Sequence, residues 1–297
     1  MAISPKGGGR LLVVAAVAVG SSVVIYLGAT LSMLSGAPAG AALTRRLPGG
    51  TLVICGGQTT DLIRDRFVEL AGGRDARIVV IPTANDDPDG PGAEARLGPW
   101  QARRVASVRR LHARSRQEAD DPAFVLPLEQ ASGVWIGGGE QARLTEVYLG
   151  TLVEDRLKAL LARGGVIGGT SAGAAVMSRV MIVGGRGAAS LGQGFDLLTG
   201  ALIDQHFLRR NRVSRLLGAL RERPDLIGLG IDEGTALVVD VRTRRLRVIG
   251  DSYAVAILAD PGATRIDVLK PGDEADLNAF RSRPESAVAS AIDFDEL

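Results

Sequence analysis

Two kinds of apolar pattern alternate along most of this chain. Thr51–Cys55, Arg77–Ile81 and Gly133–Ile136 are short runs whose central residues are all apolar, bounded by glycine or proline. A strand covered on both faces reads this way, as in a parallel sheet flanked by helices. Between the runs lie segments with apolar residues at helical spacing: Asp61–Ala71, Gln141–Tyr148 and Leu152–Arg163. Residues 83–99, rich in Asp, Pro and Gly, read as a loop, Gln101–Arg110 as a basic helix and Phe124–Leu126 as a strand. Val166–Ile167 adds another short strand. Further on come a strand at Ala201–Asp204 and a helix at Arg212–Arg221. Consecutive strands follow near Ile227–Ile231, Ala236–Val241, Arg245–Ile249 and Ala254–Leu258, before a polar tail from Asp260 that reads as weakly structured. Strand–helix alternation followed by consecutive strands predicts an α/β fold, a mainly parallel sheet with an antiparallel extension.

The beginning of the chain departs from this rhythm. Leu11–Leu34 is mostly aliphatic, and no charged residue occurs from Leu11 to Thr44. Lys6 and Arg10 precede the segment. Residues 1–39 therefore read as a secretory signal peptide or a membrane-spanning signal anchor, and residues 40–49 as a linker to a domain over residues 50–297. The small residues Ala37, Pro38 and Ala39 favour cleavage, whereas the length of the apolar run favours anchoring through residues 11–34. Either way the domain is expected outside the cytoplasm, in the periplasm or beyond, or held at the membrane.

Charge and composition narrow the partners. Of 35 basic side chains two, Lys6 and Arg10, precede residue 40, and the rest of the chain balances its 33 acidic side chains. Aromatic residues make up only 4%. Neither a cationic surface nor a stacking surface for nucleic acid is expected. The single cysteine, Cys55, excludes an intrachain disulfide and a cysteine-built zinc site. Its apolar neighbours place it in a buried strand, and the residues leave assembly open, a homodimer included.

Candidate chemistry centres on Gly169-Thr170-Ser171-Ala172-Gly173, which fits G-x-S-x-G, the strand-to-helix elbow that exposes a serine nucleophile. Taken alone, the motif is equally a glycine-rich packing turn. A serine nucleophile needs a base, and the chain has two histidines. His112 lies among basic residues before a loop. His206 follows the apolar strand Ala201–Asp204, at the strand end where sites assemble in open α/β sheets. For the orienting acid, Glu233 leads, with Asp232 and Asp204 as rivals. The backbone N–H of Ala172 would serve an oxyanion, joined by a donor from the run Gly137-Gly138-Gly139. That run lacks the Lys-Ser/Thr of a phosphate-binding loop. Arg209, Arg210, Arg212 and Arg215 crowd the start of a helix, where cations oppose the helix dipole. As carboxylate clamps they make better sense than as a basic surface face.

Together these residues resemble the cyanophycinase branch of the serine peptidases of family S51, relatives of peptidase E. The resemblance rests on Ile81-Pro82-Thr83-Ala84, Gly137–Gln141, Gly169–Ala174, Asp204-Gln205-His206-Phe207, Arg210, Arg212, Arg215 and Gly230–Glu233. It implies a flavodoxin-like sandwich similar to class I glutamine amidotransferases, without metal or other cofactor. Carried over by position, it implies Ser171 as nucleophile, His206 as base and Glu233 as acid. Gln141, Asp204, Gln205, Arg210, Arg212 and Arg215 would line the substrate pocket, and Gly138 and Ala172 would hold the oxyanion. The implied activity is serine-type hydrolysis of peptides with a β-linked aspartate, such as the β-Asp-Arg units of cyanophycin. Arg209 and Gly234 depart from the family's usual residues beside the pocket. A dipeptidase acting on isoaspartyl or N-terminal aspartyl peptides, and an inactive amidotransferase-like binding module, remain alternatives. An α/β-hydrolase esterase requires the order Ser, acid, His, which this chain does not follow.

Overall fold

The computed structural model describes residues 49–259 and 264–282. Its chain runs β1 (Thr51–Cys55), α1 (Asp61–Leu70), β2 (Arg77–Ile81), α2 (Gly98–Gln101), β3 (Ser107–Arg110), α3 (Arg116–Ala119), α4 (Leu126–Gln130) and β4 (Gly133–Ile136). It continues through α5 (Gln141–Tyr148), α6 (Leu152–Ala162), β5 (Val166–Thr170), α7 (Ala172–Ala175), β6 (Val180–Gly184), β7 (Ser190–Gln193), β8 (Ala201–Gln205), α8 (Val213–Glu222) and β9 (Ile227–Ile231). Last come β10 (Thr235–Asp240), β11 (Arg245–Gly250), β12 (Ala254–Ala259), β13 (Thr264–Leu269), β14 (Glu274–Asp276) and α9 (Leu277–Ser282).

An eight-stranded sheet, ordered β14-β11-β10-β1-β5-β4-β2-β3, forms the frame. From β1 to β3 every pairing is parallel; β10, β11 and β14 extend it antiparallel from the β1 side. This is the expected flavodoxin-like α/β arrangement. Side chains alternate between two cores, as the pleat requires. Leu52, Ile54, Val79, Ile81, Val134, Ile136 and Ile167 face one core with Leu144 and Leu157 of α5 and α6. Val53, Cys55, Ile78, Val80, Trp135 and Val166 face the other, with Ile63 and Phe67 of α1. There Phe67 meets Trp100 and Trp135 edge-on at 5.4 and 5.2 Å between ring centres. A second sheet, β13-β12-β9-β8, packs Ile203, Leu229, Ile231 and Ala254 into the first core and carries α8 on its outer face over Leu202, Val255 and Ile257. This layering brings the carboxyl ends of β1, β5 and β8 to one edge.

Four segments differ from the sequence expectation. The basic stretch Gln101–Arg110 is not a helix: α2 ends at Gln101, Arg104 takes a left-handed φ of 52°, and Ser107–Arg110 becomes the parallel edge strand β3 beside β2. An edge strand has one face and one flank in water, so it tolerates the arginines that made it look helical. Phe124–Leu126 is not a strand, since a turn there leads into α4, whose first turn holds Pro127. Residues 264–282 of the tail are structured, as β13, β14 and α9; β13 and β14 are edge strands, which again explains their polar sequence. The antiparallel β6–β7 hairpin was not anticipated. Expectations for residues 1–39 and the linker up to residue 48 lie outside the described residues. Among the described residues, no helix is long and apolar enough to cross a membrane.

Candidate active site

Ser171 stands at the sharp turn between β5 and α7 with φ 53° and ψ −111°. A non-glycine residue there stores about 1–3 kcal/mol of backbone strain, which its surroundings must impose. One constraint is the hydrogen bond that Ser171 N–H donates to the Cys55 carbonyl, 3.1 Å, tying the elbow to the end of β1. Another is close packing: a Cβ on Gly169 would lie 2.4 Å from the Gly173 carbonyl oxygen, and one on Gly173 would lie 2.2 Å from the Ile136 carbonyl oxygen, so α7 seats against β5 and β4 only because both motif glycines are bare.

His206 follows β8, again with a left-handed φ of 49°, and its N–H donates to the Gly56 carbonyl at 2.7 Å. Glu233 occupies the turn between β9 and β10. The Ser171 hydroxyl donates to His206 Nε2 at 2.9 Å, and His206 Nδ1–H donates to Glu233 Oε1 at 2.8 Å. The carboxylate accepts only, which assigns the ring proton to Nδ1 and leaves Nε2 as the acceptor facing the serine. Burial lowers the His206 pKa below its ordinary 6.5, Glu233 opposes this, and the cationic Arg210 and Arg212 add to the lowering. A neutral imidazole at neutral pH follows. Gly57, which looked like a mere turn, is part of this geometry. At φ 150° its Cβ position falls 2.4 Å from the His206 ring, and its carbonyl accepts from Gly234 N–H at 2.9 Å beside Glu233. The doubled glycine at the end of β1 was the available signal.

A cavity of about 330 Å³ opens beside Ser171, lined by Gly139, Gln141, Arg186, Gln205, Arg210 and Arg212 among others. Asp204 lies behind its wall, fully buried, and its carboxylate receives Arg215 through Nε at 3.0 Å and through a second nitrogen. Burial raises the Asp204 pKa while both guanidinium groups pull it back. The pairing of Asp204 with Arg215, which lies in the first turn of α8, offsets the unfavourable dipole there, so this arginine has a structural reason as well. Arg212 donates to the Gln205 carbonyl at 2.7 Å and to the Gln205 side chain. Arg215 also donates to the Gly185 carbonyl at 2.7 Å, and Gln141 to the Ile182 and Val183 carbonyls at 2.8 and 2.6 Å. These bonds hold the β6–β7 hairpin over the pocket and bring in Arg186, which the sequence reading did not single out. Arg210 is exposed at the pocket's rim.

Gly138 abuts Ser171: a Cβ there would lie 3.3 Å from Ser171 Cβ. Ala172 N–H belongs to the first turn of α7, where helical N–H groups lack intrahelical acceptors. Asp232 is not in the triad; it accepts from Arg209 N–H at 2.8 Å and Ser252 Oγ–H at 2.9 Å, bracing the turns that carry His206 and Glu233. His112 sits apart, bonded to Thr83 Oγ1 at 2.9 Å in a buried group with Tyr148, whose hydroxyl pKa burial pushes up to about 12. Burial likewise raises the Cys55 thiol, which stays protonated beneath the site. No group of three or more His, Cys, Asp or Glu side chains among the described residues is placed to hold a metal ion.

A serine hydroxyl bonded to an imidazole that is oriented by a carboxylate, at the carboxyl edge of an α/β sheet, has the arrangement of a nucleophilic hydrolase site. The sequence pattern of peptidase family S51 matches residues 51–247, and the chain belongs to that family of peptidases. It is 34% identical over 196 residues to the cyanophycinase of Geminocystis herdmanii, covering 63% of this chain and 71% of that one. With the cyanophycinase of Synechococcus elongatus it shares 36% identity over 214 residues, 67% of this chain and 65% of that protein. The chain thus spans about two thirds of the length of these relatives. A crystal structure of a peptidase from an acI-B1 actinobacterium superposes with a TM-score of 0.60 at 25% identity, over 77% of this chain and 97% of that one.

Proposed function

We propose that the protein is a serine-type peptidase that cleaves peptides at β-linked aspartyl units, cyanophycin-like polymers of β-Asp-Arg among them. The observation that carries the reading is the continuous hydrogen-bonded line Ser171–His206–Glu233 opening onto an arginine-rich pocket. Ser171 Oγ attacks the scissile carbonyl as its proton passes to His206 Nε2. The N–H groups of Ala172 and Gly138 receive the developing oxyanion, and His206 returns the proton to the leaving amine. Water then attacks the acyl-enzyme with His206 as base. Glu233 holds the Nδ1–H tautomer and stabilises the imidazolium formed in both steps. Arg210 and Arg212 bind substrate carboxylates, while Arg215, Asp204 and Gln205 fix the position of Arg212. Resemblance to curated cyanophycinases supports the substrate class. Ser171→Ala should abolish release of β-Asp-Arg from cyanophycin, read by mass spectrometry, and stop labelling by a fluorophosphonate; undiminished release would sink the reading. Comparison of polymer with isoaspartyl dipeptides as substrates separates polymer hydrolysis from dipeptidase activity.

Export is proposed on the charge-free, aliphatic Leu11–Leu34 that follows Lys6 and Arg10. N-terminal sequencing of the protein from fractionated cells tests it: a start near Gly40 means cleavage, and intact chain in the cytosol rejects export.

A further inference from the structure

Three polar side chains are buried together without taking part in the chemistry above: Thr83, Tyr148 and His112. They form one line of hydrogen bonds. Ala113 N–H donates to the Tyr148 hydroxyl oxygen at 3.0 Å, the Tyr148 and Thr83 hydroxyls lie 2.6 Å apart, and Thr83 Oγ1 lies 2.9 Å from His112 Nδ1. Each hydroxyl has a single hydrogen, and only one direction gives both an acceptor: Tyr148 donates to Thr83, and Thr83 donates to His112 Nδ1. Burying polar groups is unfavourable even when they are paired, and apolar side chains would fill the same space without that cost.

The position of Thr83 supplies a reason for the relay. Pro82–Asn85 is a tight turn at the end of β2, closed by Asn85 N–H on the Pro82 carbonyl at 2.8 Å. The neighbouring strip Gly137–Gly139 has no side chains to hold it in place. It hangs from β2 and the turn by two bonds, Gly137 N–H to the Ile81 carbonyl at 2.9 Å and Glu140 N–H to the Ala84 carbonyl at 2.8 Å. Contact is close enough that a Cβ on Gly139 would collide with the Ala84 carbonyl, so the strip moves if the turn does. Thr83 lies between those two anchor carbonyls, and Tyr148 is the last residue of α5, the helix that begins just after the strip. The relay therefore closes a ring from the strip through α5 to the turn and back.

Resting on the proposed reaction, in which Gly138 N–H receives the oxyanion, we infer that Thr83 is a positioning residue. Held by Tyr148 and His112, it sets the rotation of the turn and through it the place of Gly138 N–H beside Ser171. Its contribution belongs to the transition state and not to the binding of substrate. The test uses a peptide aldehyde with the β-aspartyl acyl part. Ser171 Oγ bonds to the aldehyde carbon, the hydroxyl proton passes to His206 Nε2 and the carbonyl oxygen becomes the oxyanion, so aldehyde affinity reports the donors. Affinity for the product β-Asp-Arg, which forms no oxyanion, is the control. Loss of a whole oxyanion donor costs about 100–1,000-fold. Thr83→Val, which keeps the shape and removes the hydroxyl, should displace the donor without removing it. It should weaken the aldehyde and lower kcat by about tenfold or more, with KM and product affinity in place. Thr83→Ser should recover most of the loss. Tyr148→Phe, which removes only the donor to Thr83, should show the same pattern more weakly, and it carries the test if Thr83→Val does not fold. Aldehyde and product affinities that weaken together, or that both stay unchanged in these variants, overturn the inference. A wild-type protein that binds the aldehyde no more tightly than Ser171→Ala does instead overturns the reaction on which it rests.

Discussion

At the scale of single residues, the site depends on charges and bare backbone positions around one imidazole. The lowered pKa of His206 predicts an acid limb in kcat/KM below pH 6.5, since activity requires the neutral ring and is lost as pH falls through its folded value. Arg210 contributes to that lowering through its charge. Arg210→Ala should move the limb to higher pH, while Glu233→Gln, which removes a raising influence, should move it lower and cut kcat steeply. Profiles of kcat/KM against pH read both shifts. Gly57→Ala places a methyl 2.4 Å from the His206 ring. Overpacking of this kind costs about 1–3 kcal/mol, and here the ring is what yields. The expected result is a loss of about 100-fold or more in the rate of Ser171 labelling, from misplacement of the base, with the circular dichroism spectrum retained. The elbow motif and the histidine bonded to its serine were legible because only one histidine follows an apolar strand. The role of Gly57 was not, because it rests on a contact with a residue about 150 positions away.

At the scale of elements, β8 and α8 are joined by the buried pair Asp204–Arg215. Asp204→Asn leaves the Arg215 guanidinium buried beside an amide, and loss of one partner from a buried pair costs about 3 kcal/mol or more. Denaturant unfolding of Asp204→Asn should show that loss, whereas a substitution at the exposed Arg209 should leave the midpoint nearly in place. The same pair gives Arg215 a structural partner without removing it from the pocket lining. Arginines at the start of α8 point to a ligand if the helix is taken alone, yet one of them is satisfied by the preceding strand. Arginines in β3 look helical in isolation and are tolerated because that strand lies on an edge. Local sequence carries period and charge but does not report which strand will be the edge.

At the scale of the whole molecule, two cores on opposite faces of the main sheet hold the edge at which the triad assembles. The chain's two tryptophans both lie in the smaller of these, against Phe67. Phe67→Ala should destabilise the protein by about 3–5 kcal/mol, and tryptophan fluorescence should report the unfolding from within that layer. By itself, the amino-acid sequence determined the α/β class, the parallel frame, the serine elbow, the histidine and the ordered motifs of the peptidase family, because period, glycine placement and motif order are local properties. Tertiary structure alone decided that β12 and β13 leave the main sheet to form a second one, and that a hairpin from residues 180–193 roofs the arginine pocket. Those features arise from pairings between segments far apart in the chain, where packing chooses among partners that look alike in sequence. The G-x-S-x-G turn supplies the strained serine, braced by the end of β1, and the end of β8 and the β9–β10 turn bring His206 and Glu233 to it from distant stretches.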